Sequence, residues 1–297
     1  MIRNPFLKRL IFSLTFYESR FFFSTVKNYK AVFLDSYGVL KNHQGLIEGV
    51  ADTLNYLREQ DIELRVLTND ASRSQIQQVQ MFEDLGLKGL KENEIVTSGM
   101  LARQFLELKI KKGKFAYLGT DNSANYIMQN GLIGIPVSEV DIENSTDVAA
   151  FVFLDDEGFD WHRDINRTVN FLRRNNLPII VANSDKYYPI SRDDVAVAIG
   201  GISRLCESVL NQKFIRFGKP DSQMFMFAFD DINKTGNFDK SDILMVGDTL
   251  HTDILGGNKF GLKTLLVLSG NTRGKTAEAK INSTGIIPDY IANSILE

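Results

Sequence analysis

AVFLDSYGVL, residues 31–40, decides how the rest of the chain is read. Ala31-Val32-Phe33-Leu34 is a short apolar run, too brief for a helix and without polar alternation, which predicts a parallel strand buried on both faces. The run stops at Asp35 and turns at Gly38. Open α/β sheets take their ligands in the crevice beyond the carboxyl ends of the strands, so an acid at that point is the first candidate for chemistry.

Outward from this stretch the strand–helix alternation repeats. Lys41–Gly45 reads as a loop, Val50–Gln60 has helical apolar spacing at Val50, Leu54 and Leu57, and Ile62–Leu67 is a second strand closing on Thr68-Asn69-Asp70. Ser74–Leu85 predicts a helix stopped by Gly86, Glu94–Ser98 a strand and Gly99–Leu108 another helix. Lys109–Lys114, basic and Gly-containing, marks a boundary. A second alternation follows, with strands over Phe115–Gly119, Val148–Leu154 and Ile179–Ala182 and helices over Ser123–Asn130, Asp164–Asn175 and Ile202–Asn211. Lys219-Pro220 precedes a helix over Ser222–Phe229. The strand Ile243–Val246 runs into Gly247-Asp248-Thr249-Leu250-His251-Thr252-Asp253, and Thr264–Leu268 is a further strand. The expected class is α/β: a Rossmann-like parallel-sheet core over residues 30–108 and 213–297, an inserted α/β cap over 109–212, and an N-terminal extension over 1–29.

The 297 residues are 43% hydrophobic and 24% charged, enough for one sizeable core or two smaller ones. A net charge of -3 leaves no basic footprint for nucleic acid. The single cysteine, Cys206, excludes an internal disulfide and a thiolate metal site and reads as a small buried hydrophobe. Residues 1–28 set Arg3, Lys8, Arg9, Arg20 and Lys27 against one acid, Glu18, among aromatics and hydroxyls. That profile suits an organellar transit peptide or an amphipathic helix laid on the domain, so the expected compartment is cytoplasmic with mitochondrial as the alternative. Leu10–Tyr17 is too short to span a bilayer, which takes about 20 apolar residues.

Asp35, Thr68-Asn69, Lys219, and Asp248 with Asp253 converge if the sheet is parallel. Two carboxylates at strand ends suit Mg²⁺, which prefers one or two carboxylates, waters and phosphate oxygens. Thr68 and the N–H after it can donate to a phosphoryl group, Lys219 offsets the acids, and Asp253 supports from behind. The ordered motifs DSYGVL at Asp35, TND at Thr68, GKPD at Gly218 and GDTLHTDILGG at Gly247 resemble those of the haloacid dehalogenase-like (HAD) phosphohydrolases. The closer likeness is to class IIA, whose large α/β cap lies between the second and third motifs, the NagD-like and pyridoxal-phosphate-phosphatase-like enzymes. VANSDKYYP, from Val181, resembles that group's substrate-facing loop, and the likeness covers roughly Lys30 to Ile291.

The resemblance implies Asp35 as the nucleophile that forms an aspartyl-phosphate. Ser36, Thr68 and Asn69 would bind the phosphoryl group and Lys219 would stabilise its charge. Mg²⁺ would be held by Asp35, the Tyr37 carbonyl and Asp248, supported by Asp253. Asn183 and Asp185 would face substrate, with Tyr187 and Tyr188 beside them, and the cap would serve a homodimer.

Two positions depart from the pattern. The phosphatases carry a second Asp two residues after the nucleophile, to protonate the leaving oxygen and then activate water; here Tyr37 stands there. Such acid–base help is worth ~10²–10⁴-fold, so hydrolysis of ordinary esters is expected to be weakened. Asp70 replaces a usual Asn and is expected to cap the following helix rather than face a phosphate. The expected function is Mg²⁺-dependent hydrolysis of a small phosphorylated metabolite. The alternatives are a non-catalytic phospho-ligand-binding or regulatory protein and a metal-free 2-haloacid dehalogenase, whose first motif also has a Tyr but against which the later motifs argue. His43, His162 and His251 are scattered, with no metal-site spacing, and read as surface or structural residues, His251 alone lying in the expected metal-site loop. Trp161 with Phe159 is expected to pack the cap, and Asp155-Asp156-Glu157 reads as a solvated turn.

Overall fold

Ala31–Asp35 is an inner strand. In the computed structural model, which describes residues 21–128, 131–191 and 194–296, it pairs in parallel with Ile243–Gly247 on one side and Glu63–Thr68 on the other. Lys263–Val267 follows beyond Ile243–Gly247, and Tyr290–Ala292 beyond that, again in parallel. Ala31 to Leu34 and Ile243 to Val246 are fully buried, which explains why both are unbroken apolar runs. The register sets Leu34 against Val246 and Val66, so Asp35 and Gly247 end their strands at one level.

These strands belong to the first of two compact units, formed by residues up to Leu67, Phe82–Leu90 and Phe225 onward. Its helix Val50–Glu59 buries Val50, Leu54 and Leu57 as the spacing predicts. Lys41–Gly45, expected as a loop, instead takes part in a small hairpin in which Lys41–Asn42 pairs with Gly45–Leu46. The helix Gly274–Thr284 and the strand Tyr290–Ala292 complete the unit. Of the expected N-terminal extension, residues 1–20 lie outside the described residues. Phe21–Val26 is a helix that belongs to this unit: Phe22 and Val26 are fully buried, and the Phe23 ring meets Tyr56 edge-on at 4.6 Å.

The second unit comprises residues 68–81 and 91–224, wider limits than the expected 109–212 insertion. Its parallel sheet runs Leu132–Pro136, Gly113–Leu118, Val148–Phe153, Ile179–Val181, Ile215–Arg216. In chain order that is 2-1-3-4-5, the doubly wound order of the flavodoxin type. Phe171 and Leu172 from helix Trp161–Arg174 and Ile199, Ile202 and Cys206 from helix Ile199–Leu210 pack on Phe151 and Phe153. Cys206 is buried in this core, which pushes its thiol up to about 12, so it is the small hydrophobe the sequence suggested. Trp161 departs from expectation. It is the first residue of its helix, behind the Asp160 cap, stays 48% exposed and stacks on Phe159, and Phe159 is the ring that packs against the core. Among the described residues no helix is long and apolar enough to cross a membrane.

Candidate active site

Asp35, Asp248 and Asp253 meet in the first unit, each offering a carboxylate oxygen within 4.8 Å of the others, with Asp248 and Asp253 fully buried. Each arrives by its own local device. Asp35 ends its strand, and the Ser36 N–H donates to its Oδ1 at 2.6 Å. The chain then turns at Gly38, whose N–H donates to the Lys41 carbonyl at 2.7 Å and whose φ of 86° favours glycine. Asp253 lies in a π-helical turn, Leu250–Ile254, which folds its Oδ2 back onto the Thr249 N–H at 3.0 Å. A side chain at Gly247 would occupy the space of that carboxylate.

Asp248 is held on both oxygens. The Thr249 hydroxyl donates to Oδ1 at 2.9 Å and the Asn271 N–H to Oδ2 at 2.5 Å. Asn271 belongs to a loop, Ser269–Thr272, that the sequence reading missed. The Ser269 hydroxyl donates to the Gly38 carbonyl at 2.7 Å, and the Asn271 amide donates to Thr249 Oγ at 2.9 Å. The signal was present, because Ser-Gly-Asn directly after a buried strand puts small hydrogen-bonding residues at a strand's carboxyl end.

Three carboxylates this close repel unless a cation lies among them, and their all-oxygen donor set suits a hard ion such as Mg²⁺. A Cβ on either Gly38 or Gly270 would overlap Asp248 Oδ2, so glycines at both positions leave that oxygen its space. On these observations the residues fit the ion. Tyr37 is half-buried beside them. Burial pushes its phenol up, the His43 backbone hydrogen bond pulls it down, and the Asp248 charge pushes it up further, for a net rise.

Apart from Ser36, the remaining expected residues lie in the second unit, where Asn69 is the hub. Its amide donates to Asp185 Oδ1 at 2.9 Å and to the Lys219 carbonyl at 3.0 Å, while its Oδ1 accepts the Lys219 N–H at 2.7 Å. Gly218, at φ 101°, lets that clamp close, since a Cβ there would meet Asn69 Oδ1. The side chain of Asn69, expected to bind phosphate, is therefore engaged in fixing Lys219 and Asp185. Thr68 Oγ accepts the Asp70 N–H at 3.2 Å, and Asn183 Oδ1 accepts the Asp185 N–H at 2.9 Å. Tyr188 donates to Asp156 at 3.0 Å, and Tyr187 is exposed. Ser36 is buried in the first unit, and among the described residues its hydroxyl has no hydrogen-bond partner.

Asp70 does not cap the helix, now seen as Gln75–Asp84. Ser74 does so, its N–H donating to Gln77 Oε1 at 2.8 Å and its hydroxyl accepting the Gln77 N–H at 3.3 Å, a capping box. Asp70 instead collects the Ser72 N–H and hydroxyl on Oδ1 and Arg73 and Gln78 on Oδ2. Those donors and the Arg73 charge outweigh burial and hold its carboxyl below the ordinary value. All three histidines are exposed.

Two family profiles match the chain, one described as haloacid dehalogenase-like hydrolase over residues 32–133 and one as HAD-hydrolase-like over 216–297. A curated relative, the chloroplastic phosphoglycolate phosphatase 1A of Arabidopsis thaliana, is 31% identical over 88% of this chain and 74% of its own length. A solved structure described as a possible sugar phosphatase of the HAD superfamily, from Cytophaga hutchinsonii, is 50% identical, covers 95% of this chain and 99% of its own, and superposes with a TM-score of 0.89. A glycerol phosphate phosphatase from Mycobacterium tuberculosis, solved in complex with magnesium, shares the fold at 22% identity and a TM-score of 0.72, over 94% of this chain and 78% of its own. The chain belongs to the haloacid dehalogenase-like hydrolases. Within them it is a phosphatase of class IIA, the NagD-like group.

Proposed function

We propose that the protein hydrolyses a small phosphorylated metabolite in a Mg²⁺-dependent reaction through an aspartyl-phosphate on Asp35. The observation that carries this reading is the cluster of Asp35, Asp248 and Asp253 within 4.8 Å. Mg²⁺ held by these carboxylates, with the Tyr37 carbonyl, would neutralise phosphoryl charge. Asp35 attacks phosphorus through a carboxylate oxygen, the bond from phosphorus to the leaving oxygen breaks, and water then cleaves the acyl phosphate to release inorganic phosphate and restore Asp35. On the family's motif order, Thr68 and Lys219 supply phosphoryl contacts, and Asn69 holds the Lys219 backbone that carries the cation. The relatives act, by name, on phosphoglycolate, glycerol phosphate or sugar phosphates, which supports a small phosphorylated substrate rather than any one of them.

A phenol at Tyr37 replaces the carboxyl that ordinarily serves the leaving group. With an ordinary pKa of about 10 against about 4, a phenol protonates no leaving alkoxide efficiently and accepts no proton from water at neutral pH. Turnover should therefore favour acyl and aryl phosphates, which leave without acid help, over alkyl esters. The test is release of inorganic phosphate with Mg²⁺ across such a panel, alongside Asp35→Asn. Turnover of activated compounds that disappears in Asp35→Asn is the expected result; turnover that survives in Asp35→Asn sinks the mechanism. Absence of turnover on every compound would favour the binding or regulatory alternative.

A further inference from the structure

The second unit has a ligand crevice of its own. In a doubly wound sheet of order 2-1-3-4-5 the topological switch point falls between the first and third strands, and ligands bind beyond the carboxyl ends there. In this unit those strands are Gly113–Leu118 and Val148–Phe153, paired in parallel with Leu118 opposite Phe153. Just beyond their ends stand Thr120 and Asp155, and both line a cleft of about 760 Å³. The helix Asp121–Ile127 contributes Asn122, Asn125 and Tyr126 to its wall, and Arg73 and Arg103 come from neighbouring segments. A volume of this order suits a small molecule.

Beside Ile76 and the Tyr126 ring, the wall carries hydroxyls, amides and two guanidiniums. Asp155 is already satisfied: Ser123 and Thr120 donate their hydroxyls to its Oδ2 at 3.0 and 3.3 Å, and the Asp156 N–H donates to Oδ1 at 2.9 Å. Arg73 uses Nη1 for Asp70 and Ser72, and Arg103 uses Nε for Glu107 while lying over the Tyr126 ring. A guanidinium carries five N–H donors, so each arginine is fixed by its acid and keeps part of its fork for a ligand. Asp70 and Glu107 balance the two guanidinium charges, so the pull on a ligand comes from the remaining N–H donors, whose fork suits a carboxylate or phosphate oxygen, while the surrounding amides and hydroxyls suit a polyol.

We propose that this cleft is a binding site for a small polyhydroxylated oxyanion, seated at the second unit's switch point by Arg73, Arg103 and Asn122. The proposal does not rest on the phosphatase reading, because no residue of the carboxylate cluster lines the cleft. It is tested by calorimetric titration of the full chain in Mg²⁺-free buffer with D-gluconate, sorbitol 6-phosphate and sorbitol. Saturable binding of at least one anion, about tenfold or more tighter than sorbitol, is expected, and the preferred anion tells carboxylate from phosphate. Arg103→Gln should weaken that binding about tenfold or more. Asn122→Ala, at an exposed position where folding is not at risk, should weaken it several-fold, and Asp35→Asn should leave it unchanged. Absence of saturable binding, wild-type affinity in both cleft variants, or loss of binding in Asp35→Asn would each overturn the proposal.

Discussion

A methyl group at position 270 would lie inside the Asp248 carboxylate and 2.7 Å from the Gly38 Cα. Gly270 has no left-handed backbone to defend, so the collision alone decides the effect of Gly270→Ala. The loop Ser269–Thr272 must move, and with it the Asn271 N–H that fixes Asp248 Oδ2. Overpacking of this kind costs about 1–3 kcal/mol. We expect Gly270→Ala to weaken Mg²⁺ binding by about tenfold or more in a calorimetric titration, and wild-type affinity would show that the carboxylate cluster does not depend on this loop. At Tyr37 the expected change is a gain. Tyr37→Asp restores a carboxyl two residues after Asp35 and should raise alkyl-ester hydrolysis by up to ~10²-fold, with little effect on acyl phosphates. An equal effect on both substrate kinds would mean that the position serves packing rather than proton transfer.

Among the elements, the turn after Glu63–Thr68 shows what motif reading reaches and where it stops. Thr68-Asn69-Asp70 could be placed at a strand end because Ile62-Glu63-Leu64-Arg65 alternates at the strand period and closes on apolar Val66-Leu67, yet the partners of Asp70 depend on Arg73 and Gln78 turning back in three dimensions. Its carboxylate takes four donors, and an amide in its place would present N–H groups to some of them, at a cost of about 1–3 kcal/mol. The pH dependence has a definite sign. The folded carboxyl titrates below its ordinary value, so its stabilisation is complete above the unfolded value of about 4 and is lost as pH falls through the folded one. Asp70→Asn should therefore be destabilised by a constant amount from neutral pH to about pH 5, with the gap to wild type closing below about pH 4 in denaturant titrations. A gap that persists at lower pH would assign the effect to shape rather than charge. The hairpin Tyr187–Pro189 with Val195–Val197 was illegible for a related reason, since its strands of three residues are too short for a periodicity to show.

At the scale of the whole molecule, the strands were legible wherever both faces are buried, because burial on both sides forces an apolar run that no other element of that length produces. Asp35 and Asp248 could be placed for the same reason, each directly following such a run. The Ser269–Thr272 loop and the 2-1-3-4-5 order of the second sheet were not, since neither leaves a periodic trace: strand order is set by which connection crosses which, and hydrogen bonds to loop N–H groups constrain residue type weakly. The carboxylate cluster has a global consequence. Three acids whose oxygens lie within 4.8 Å repel one another when no cation is bound, and an ion that binds the folded state alone stabilises it by RT ln(1 + [Mg²⁺]/Kd), about 2.7 kcal/mol at a hundredfold excess over Kd. For a chain of 297 residues, at about 2.1 cal/mol/K of unfolding entropy per residue, that is about 4 °C in thermal midpoint. Asp35→Asn retains an oxygen for the Ser36 N–H and removes one of the three charges, so its gain in thermal midpoint on adding Mg²⁺ should shrink sharply. Equal gains in both proteins, followed by circular dichroism, would remove Asp35 from the ion's ligands and leave the cluster a structural feature of the buried strand ends.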